Sequence, residues 1–412
     1  MDGSEMAAMT LPATGPSMQQ RIRVLTFSTL YPNAARPQHG VFVENRLRHL
    51  VASGEIDSTV LAPAPWFPFS HGMFGEYARH ARVPRREARY GLDVFHPAYV
   101  VVPKIGMSIA PALLYWSARS AVRRLLAEGR RFDLIDAHYF YPDGVAAALL
   151  GREFHLPVVI TGRGADLNQL PAYGVPRKQI LWAARRAAAM ITVCQSLKDS
   201  LIGLGGEAGK IHVLRNGVDL AQFKPIDRDV ARSALGLSGP TLLSVGALIP
   251  RKGHDLVIKA LSLIPDATLM IAGEGSERAR LQALADQLGL GSRVRLLGQV
   301  THEQLTPLYN AADISILASS SEGWANVLLE SMACGTPVAA TNVSGTPEVV
   351  TAPESGMLIE ERTPDGIAAT VRHLLARLPE RAQTRAYAET FSWDAITDGQ
   401  LRLFQGILES NT

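Results

Sequence analysis

The chain has 412 residues and a mass of 44.5 kDa; 47% is apolar and 19% charged, with 35 Gly and 25 Pro. This is a globular composition with length for two cores, which excludes a disordered, collagenous or coiled-coil chain as its main form. The net charge of +3 divides unevenly: −2 over residues 1–20, +10 over residues 21–190 and −5 over residues 191–412, so an anionic surface or partner is expected for the first half alone.

Residues 1–20 lack a basic start and an apolar core, and read as a flexible tail, not a secretory signal. Residues 21–28 (RIRVLTFS) then read as a buried strand, 41–53 as a helix and 59–62 as a strand. The uncharged run 105–118 (IGMSIAPALLYWSA) is too short to span a bilayer and reads as a buried or interfacial helix. Arg119, Arg123, Arg124, Arg130 and Arg131 follow it. Such a helix can lie on an anionic bilayer, or pack on a core with a solvated arginine face. Strands follow at 133–138, 157–161 and 189–194, with a helix at 144–154. The polar segment 221–240, with Pro225 and Gly239, reads as a linker.

The pattern restarts at 241–246 (TLLSVG). Strands at 268–273, 294–298, 314–318 and 337–341 alternate with helices at 256–264, 276–288, 304–311, 326–334 and 363–378. Phe391–Trp393 begins a terminal helix expected to return to the first domain. Continuous apolar strands separated by helices predict two α/β domains with doubly wound parallel sheets, 21–220 and 241–390, followed by the helix 391–412. Ligands of such sheets bind beyond the C-terminal strand ends, here in the cleft between domains.

The chemistry concentrates in the second unit. Arg251 and Lys252 follow the strand ending in Gly246 and precede a helix, which is a phosphate site that needs no metal. Gly273 and Gly275 follow a strand, but the third Gly of a dinucleotide fingerprint is replaced by Arg278, which disfavours a nicotinamide site. In SSSEGWANVLLE, Glu322 precedes a Gly turn and Glu330 lies about one turn into a helix. A carboxylate there can accept both hydroxyls of a vicinal diol such as ribose, with Gly323 and the helix start adding donors. Asp227-Arg228-Asp229 falls in the linker, and two cysteines, Cys194 and Cys334, are too few for zinc or a disulfide framework.

Through VGALIPRKG (245–253), IAGEG (271–275), EGWANVLLE (322–330), CGTPV (334–338) and NGVD (216–219), residues 22–390 resemble the family 4 retaining glycosyltransferases of GT-B fold: two Rossmann-like domains facing a central cleft. The resemblance implies a nucleotide-diphosphate-sugar donor and a glycan or polyprenyl-linked acceptor, with no metal or other cofactor and no nucleic-acid partner. It implies that Arg251 and Lys252 neutralise the diphosphate, Glu330 binds the ribose, and Glu322 contacts the transferred sugar near its 3- and 4-hydroxyls. Gly246, Gly273, Val300, Gly323, Asn326 and Val327 complete the donor set. Many members carry Arg where this chain has Ala247, so Arg251 is expected to take that role. His39 and Gly40, in the loop after the first strand, are acceptor-side candidates, as is Asp166. His138, ending a strand, is a candidate catalytic residue. Members often read His-Gly-x-Asp where this chain has Arg163-Gly164-Ala165-Asp166; Arg163 cannot act as a base, but can hold a phosphate or sugar hydroxyls. The expected setting is cytoplasmic, peripheral on the inner face of the membrane, in cell-surface polysaccharide synthesis. A non-catalytic nucleotide-sugar-binding protein and a same-fold epimerase are the alternatives.

Overall fold

The structure, a computed structural model, describes residues 21–69, 71, 73, 79–101 and 106–410; the expected tail 1–20 and Ile105 lie outside them. The first sheet runs, edge to edge, Ile211–Val213, Ala189–Thr192, Val158–Gly162, Leu134–His138, Ile22–Phe27, Ile56–Leu61, Leu92–Phe95 and Arg86–Arg89. All pairings are parallel except that of Arg86–Arg89 with Leu92–Phe95, a hairpin closed by Tyr90 and Gly91, both at positive φ. The central strands are buried at every position of Leu134–His138, Val158–Gly162 and Ala189–Thr192, because helices cover both faces. The second sheet runs Val294–Gly298, Thr268–Ala272, Thr241–Val245, Ile314–Leu317, Val338–Thr341 and Gly356–Ile359, all parallel.

Each sheet changes winding direction beside its first strand. Ile22–Phe27 lies between Ile56–Leu61 and Leu134–His138, and Thr241–Val245 between Thr268–Ala272 and Ile314–Leu317. The loops leaving these strands diverge and open a crevice at each sheet's carboxyl edge. The two crevices face each other, as the hydrogen bond from Asn216 Nδ2 to Asn326 Oδ1 (3.1 Å) shows.

The segment expected as a linker, 221–240, is structured. Asp227 caps a helix, Arg228–Ala234, by accepting from the Val230 amide at 3.0 Å. Arg228 and Arg232 both pair with Asp313, fastening that helix to the second domain. Its one buried residue, Ala231, leaves no apolar period to read, which is why the stretch resembles a loop. Asp227-Arg228-Asp229 is thus a helix start. Helices at Gly174–Arg186, Gln195–Leu204 and Arg381–Glu389 also join the expected elements.

The last helix, Trp393–Glu409, lies on the first sheet. Leu401, Phe404 and Ile407 share a core with Ile22, Val24, Leu134 and Ile191. Trp393 stacks on His49 of the helix Val41–Ala52, with centroids 5.0 Å apart. Helix Gly106–Ala127 buries Leu114, Ala118, Val122 and Leu125 and exposes Met107, Ile109 and Trp116. The arginines expected to form its solvated face are partly neutralised: Arg119 and Arg123 pair with Glu153, and Arg130 with Asp93. Among the described residues no helix is long and apolar enough to cross a membrane.

Candidate active site

Between the domains lies a cavity of about 390 Å³, lined from the first domain by Gly40, Phe42, Tyr139 and Arg163 and from the second by Arg251, Lys252, Glu322–Val327 and Glu330. Its floor depends on glycines. Gly253 has φ +67°, and a Cβ there would stand 2.3 Å from the Ala318 carbonyl oxygen. Only a residue without a side chain lets the turn Pro250–Lys252 reach the start of helix His254–Leu261. The turn is pinned beneath by His254, whose Nδ1 lies 3.0 Å from Ser244 Oγ. Burial, then the Lys252 charge, lowers the His254 pKa to about 4, so the ring is neutral.

The turn presents both predicted cations to one carboxylate. Lys252 Nζ is 2.6 Å from Glu322 Oε1, and Arg251 Nη1 is 3.7 Å from Glu322 Oε2. Arg251 also donates to the Ser321 carbonyl. Glu322 is 9% exposed, so its charge is held by these cations and not by bulk water.

Glu330 lies on helix Asn326–Ala333 and borders a second cavity of about 720 Å³ with Gly246, Gly273, Val300 and Val327. Burial raises its pKa, against the opposing pull of His302 and Tyr309. The Tyr309 hydroxyl donates to Glu330 Oε2 at 3.0 Å and leaves Oε1 for another partner. All ten predicted donor-site residues therefore line one or the other of these adjoining cavities. Arg36, Gln38 and His39 of the first domain close the second cavity from the opposite side.

Arg163 lines the first cavity at 9% exposure. Its Nη1 donates to Asn216 Oδ1 (3.0 Å) and its Nη2 to His138 Nδ1 (2.8 Å). His138 is 1% exposed and does not reach the cavity. Burial, opposed by Asp136, lowers its pKa, and its Nε2 lies 3.4 Å from Asp136 Oδ2. The neutral ring thus accepts from Arg163 on one nitrogen and points the other toward Asp136. The chain continues through Gln400 Nε2, which donates to Asp136 (3.0 Å), to the buried Arg46, whose Nε donates to Gln400 Oε1 (2.7 Å). His138 is therefore placed to position Arg163 and not to touch a substrate.

The acceptor-side candidates separate. Gly40 lines the first cavity at φ +71°; a Cβ would stand 2.3 Å from Leu30 O, so the position accepts only Gly. His39 lines the second cavity, with Nε2 3.1 Å from its own loop's Thr29 carbonyl. Asp166 is fully buried, and its carboxylate accepts from the amides of Phe140, Arg163 and Gly164. It shapes the Arg163 loop and cannot face an acceptor. Phe42, Tyr139, Asn216 and His302 also line the first cavity. Of these only Asn216 left a trace in the sequence, inside NGVD.

The comparisons with known proteins agree with this architecture. Residues 39–222 match Glycosyltransferase Family 4, and residues 226–391 match Glycosyl transferases group 1. A D-inositol 3-phosphate glycosyltransferase of Mycolicibacterium gilvum is 33% identical over 291 residues, 66% of this chain and 65% of that protein. A Mycobacterium bovis counterpart is 32% identical over 66% of this chain and 62% of its own length. The chain spans just under two thirds of the length of these relatives. Among solved structures, sucrose-phosphate synthase from Thermosynechococcus elongatus shares the fold over 95% of this chain and 100% of that one, with TM-score 0.77 at 19% identity. Anabaena HepE in complex with UDP does so over 94% and 100%, with TM-score 0.70 at 21% identity. With both halves matched and the two facing parallel-sheet domains shared, the chain belongs to glycosyltransferase family 4, with the GT-B fold.

Proposed function

We propose that the protein is a retaining glycosyltransferase that moves a sugar from a nucleoside-diphosphate donor to a glycan or polyprenyl-linked acceptor at the cytoplasmic face of a membrane, in cell-surface polysaccharide synthesis. The observation that carries the reading is the Lys252–Glu322–Arg251 cluster in the cleft, in the loop that leads into the helix carrying Glu330. A diphosphate leaving group gains negative charge as the glycosidic bond breaks, and two fixed cations in a water-poor cleft stabilise that charge. Glu330 keeps one oxygen available for a ribose diol, and Glu322, beside both cations, is assigned to the sugar attached to that diphosphate. Same-fold structures that hold UDP-glucose (HepE) and ADP (starch synthase IV) support this donor class. Retention of configuration is carried by the family resemblance.

In this reading Arg251 and Lys252 supply the cationic charge themselves, and no metal or cofactor is required. The test is release of nucleoside diphosphate from a panel of UDP-, GDP- and ADP-sugars, with and without EDTA. Turnover that survives EDTA and falls on the order of 10²-fold or more in Glu322→Ala is expected. Absence of turnover on every donor, or full activity in Glu322→Ala, would overturn the reading. Anomeric configuration of the product is read by NMR, and an epimerase would show itself by converting donor without acceptor.

A further inference from the structure

Arg163 is a charge without a counter-ion. Among the described residues its guanidinium forms no ion pair: it donates to the neutral Asn216 and His138 and lies over the Phe42 ring, 5.3 Å from the centroid, and its buried Nε has no hydrogen-bond partner. Asp166, three residues along, is engaged by backbone amides. Asp136 is reached only through His138, and it is shared with a second buried guanidinium, Arg46, through Gln400. Both buried guanidiniums are attracted by Asp136, and Arg163 by Asp166 as well, but neither guanidinium bonds a carboxylate directly. A buried charge of this kind is costly unless something compensates it. Arg163, unlike Arg46, borders the cavity, so a ligand can supply the missing charge there.

The same structure says which substrate carries that charge. The diphosphate has its own cations in Arg251 and Lys252, whose carboxylate partner is Glu322. Arg163 is held against the Glu322–Asn326 loop. A Cβ on Gly323 would stand 1.9 Å from the Arg163 carbonyl oxygen, and Asn216, which fixes the guanidinium, also bonds Asn326. Arg163 thus lines the same cavity as the loop assigned above to the transferred sugar. A planar carboxylate suits this planar fork, which can donate two parallel hydrogen bonds where a hydroxyl would take one.

We propose that Arg163 receives the carboxylate of the transferred sugar, so that the donor is a nucleotide-linked hexuronic acid and not a neutral hexose. The assignment rests on the donor reading of the cleft and names the sugar class within it. His138, Asp136 and Asn216 are then positioning residues that fix the guanidinium.

The test compares donors that differ only at the sugar's terminal carbon: UDP-glucuronate against UDP-glucose, and GDP-mannuronate against GDP-mannose. Binding is measured by calorimetry and nucleoside diphosphate release by turnover. In at least one pair the uronate is expected to bind about 10- to 100-fold more tightly, the range of a charge-assisted bidentate contact. Arg163→Gln abolishes that preference, Arg163→Lys keeps part of it, and both bind free nucleoside diphosphate within about twofold of the parent, which shows them folded. Equal or better binding of the neutral sugar in both pairs, or a preference that survives Arg163→Gln, overturns the proposal. A charge effect that appears only with a phosphorylated acceptor overturns it as well, moving the anion to the acceptor. Failure of the donor reading looks different: no nucleotide of either base would bind in a manner lost in Lys252→Ala.

Discussion

The Lys252 ammonium lies 2.6 Å from Glu322, and in the proposed reaction a donor diphosphate would compete with that carboxylate for it. Glu322→Gln removes the competitor while preserving shape. Free nucleoside diphosphate should then bind about 3- to 10-fold more tightly, whereas sugar transfer falls on the order of 10²-fold because the sugar contact is weakened. Calorimetry with UDP and GDP alone, set beside turnover, separates the two effects; loss of both together would show that Glu322 only holds the turn. Asp143 offers a pH counterpart. It is fully buried under the loop that carries His39, and accepts from the amide and hydroxyl of Thr29. Burial, opposed by those bonds, raises its pKa from 3.8 to about 7. The folded state then binds the proton more tightly than the unfolded chain, so the stability this group contributes is full below about pH 4 and is lost as pH rises toward 7. Asp143→Asn cannot ionise. Its thermal midpoint relative to the parent should be higher at pH 8 than at pH 5, and a pH-independent difference would count against it.

At the scale of elements, the domains approach closely at two glycines that leave no room for a side chain. A Cβ on Gly323 would lie 1.9 Å from Arg163 O, and one on Gly345 would lie 2.9 Å from the Cys194 Cβ. Gly323→Ala must push the Arg163 loop away from the donor loop by an ångström or more. Displacement of that size costs on the order of 10²-fold in rate, while the clusters that lie within the second domain and beneath the terminal helix are untouched. The expected result is a large fall in turnover at a thermal midpoint within a few degrees of the parent. These loops also show where sequence reading stops. VGALIPRKG and EGWANVLLE are local, so the strand, the turn and the helix start that place Lys252 and Glu322 could be read from consecutive residues. The Arg163 network could not: its hydrogen bonds join residues 25, 53 and 264 positions apart. His138 therefore read as a cleft residue although it stands behind Arg163, and Asp166 read as an acceptor contact although backbone amides enclose it. The helix Arg228–Ala234 escaped for a different reason, since a helix with one buried position carries no amphipathic signal.

At the scale of the whole molecule, the +10 of residues 21–190 has a geometry. Trp66, Val100, Val101, Met107, Ile109 and Trp116 are exposed, and hydrogen bonds tie their segments together: Trp66 N to Tyr99 O, Ser117 Oγ to Ala98 O, and Gln179 Nε2 to Ser108 O. Exposed Arg177 and Lys178 stand beside that patch, on the helix that carries Gln179. Arg119 and Arg123 contribute less than the charge count suggests, because Glu153 neutralises part of them. An apolar patch with tryptophans and flanking cations fits a peripheral contact with an anionic bilayer. The protein is therefore expected to sediment with vesicles containing phosphatidylglycerol and to do so less as salt rises, since the Debye length shrinks to about 3 Å at 1 M. Arg177→Ala with Lys178→Ala should lower the affinity by about 1 kcal/mol per residue, and Trp116→Ala should lower it without changing its salt dependence. Donor turnover on a soluble acceptor should stay unchanged in these variants, because none of the substituted residues lines the cleft. Equal binding to neutral vesicles at every salt concentration would remove the electrostatic part of this reading, and no binding to either kind would remove all of it.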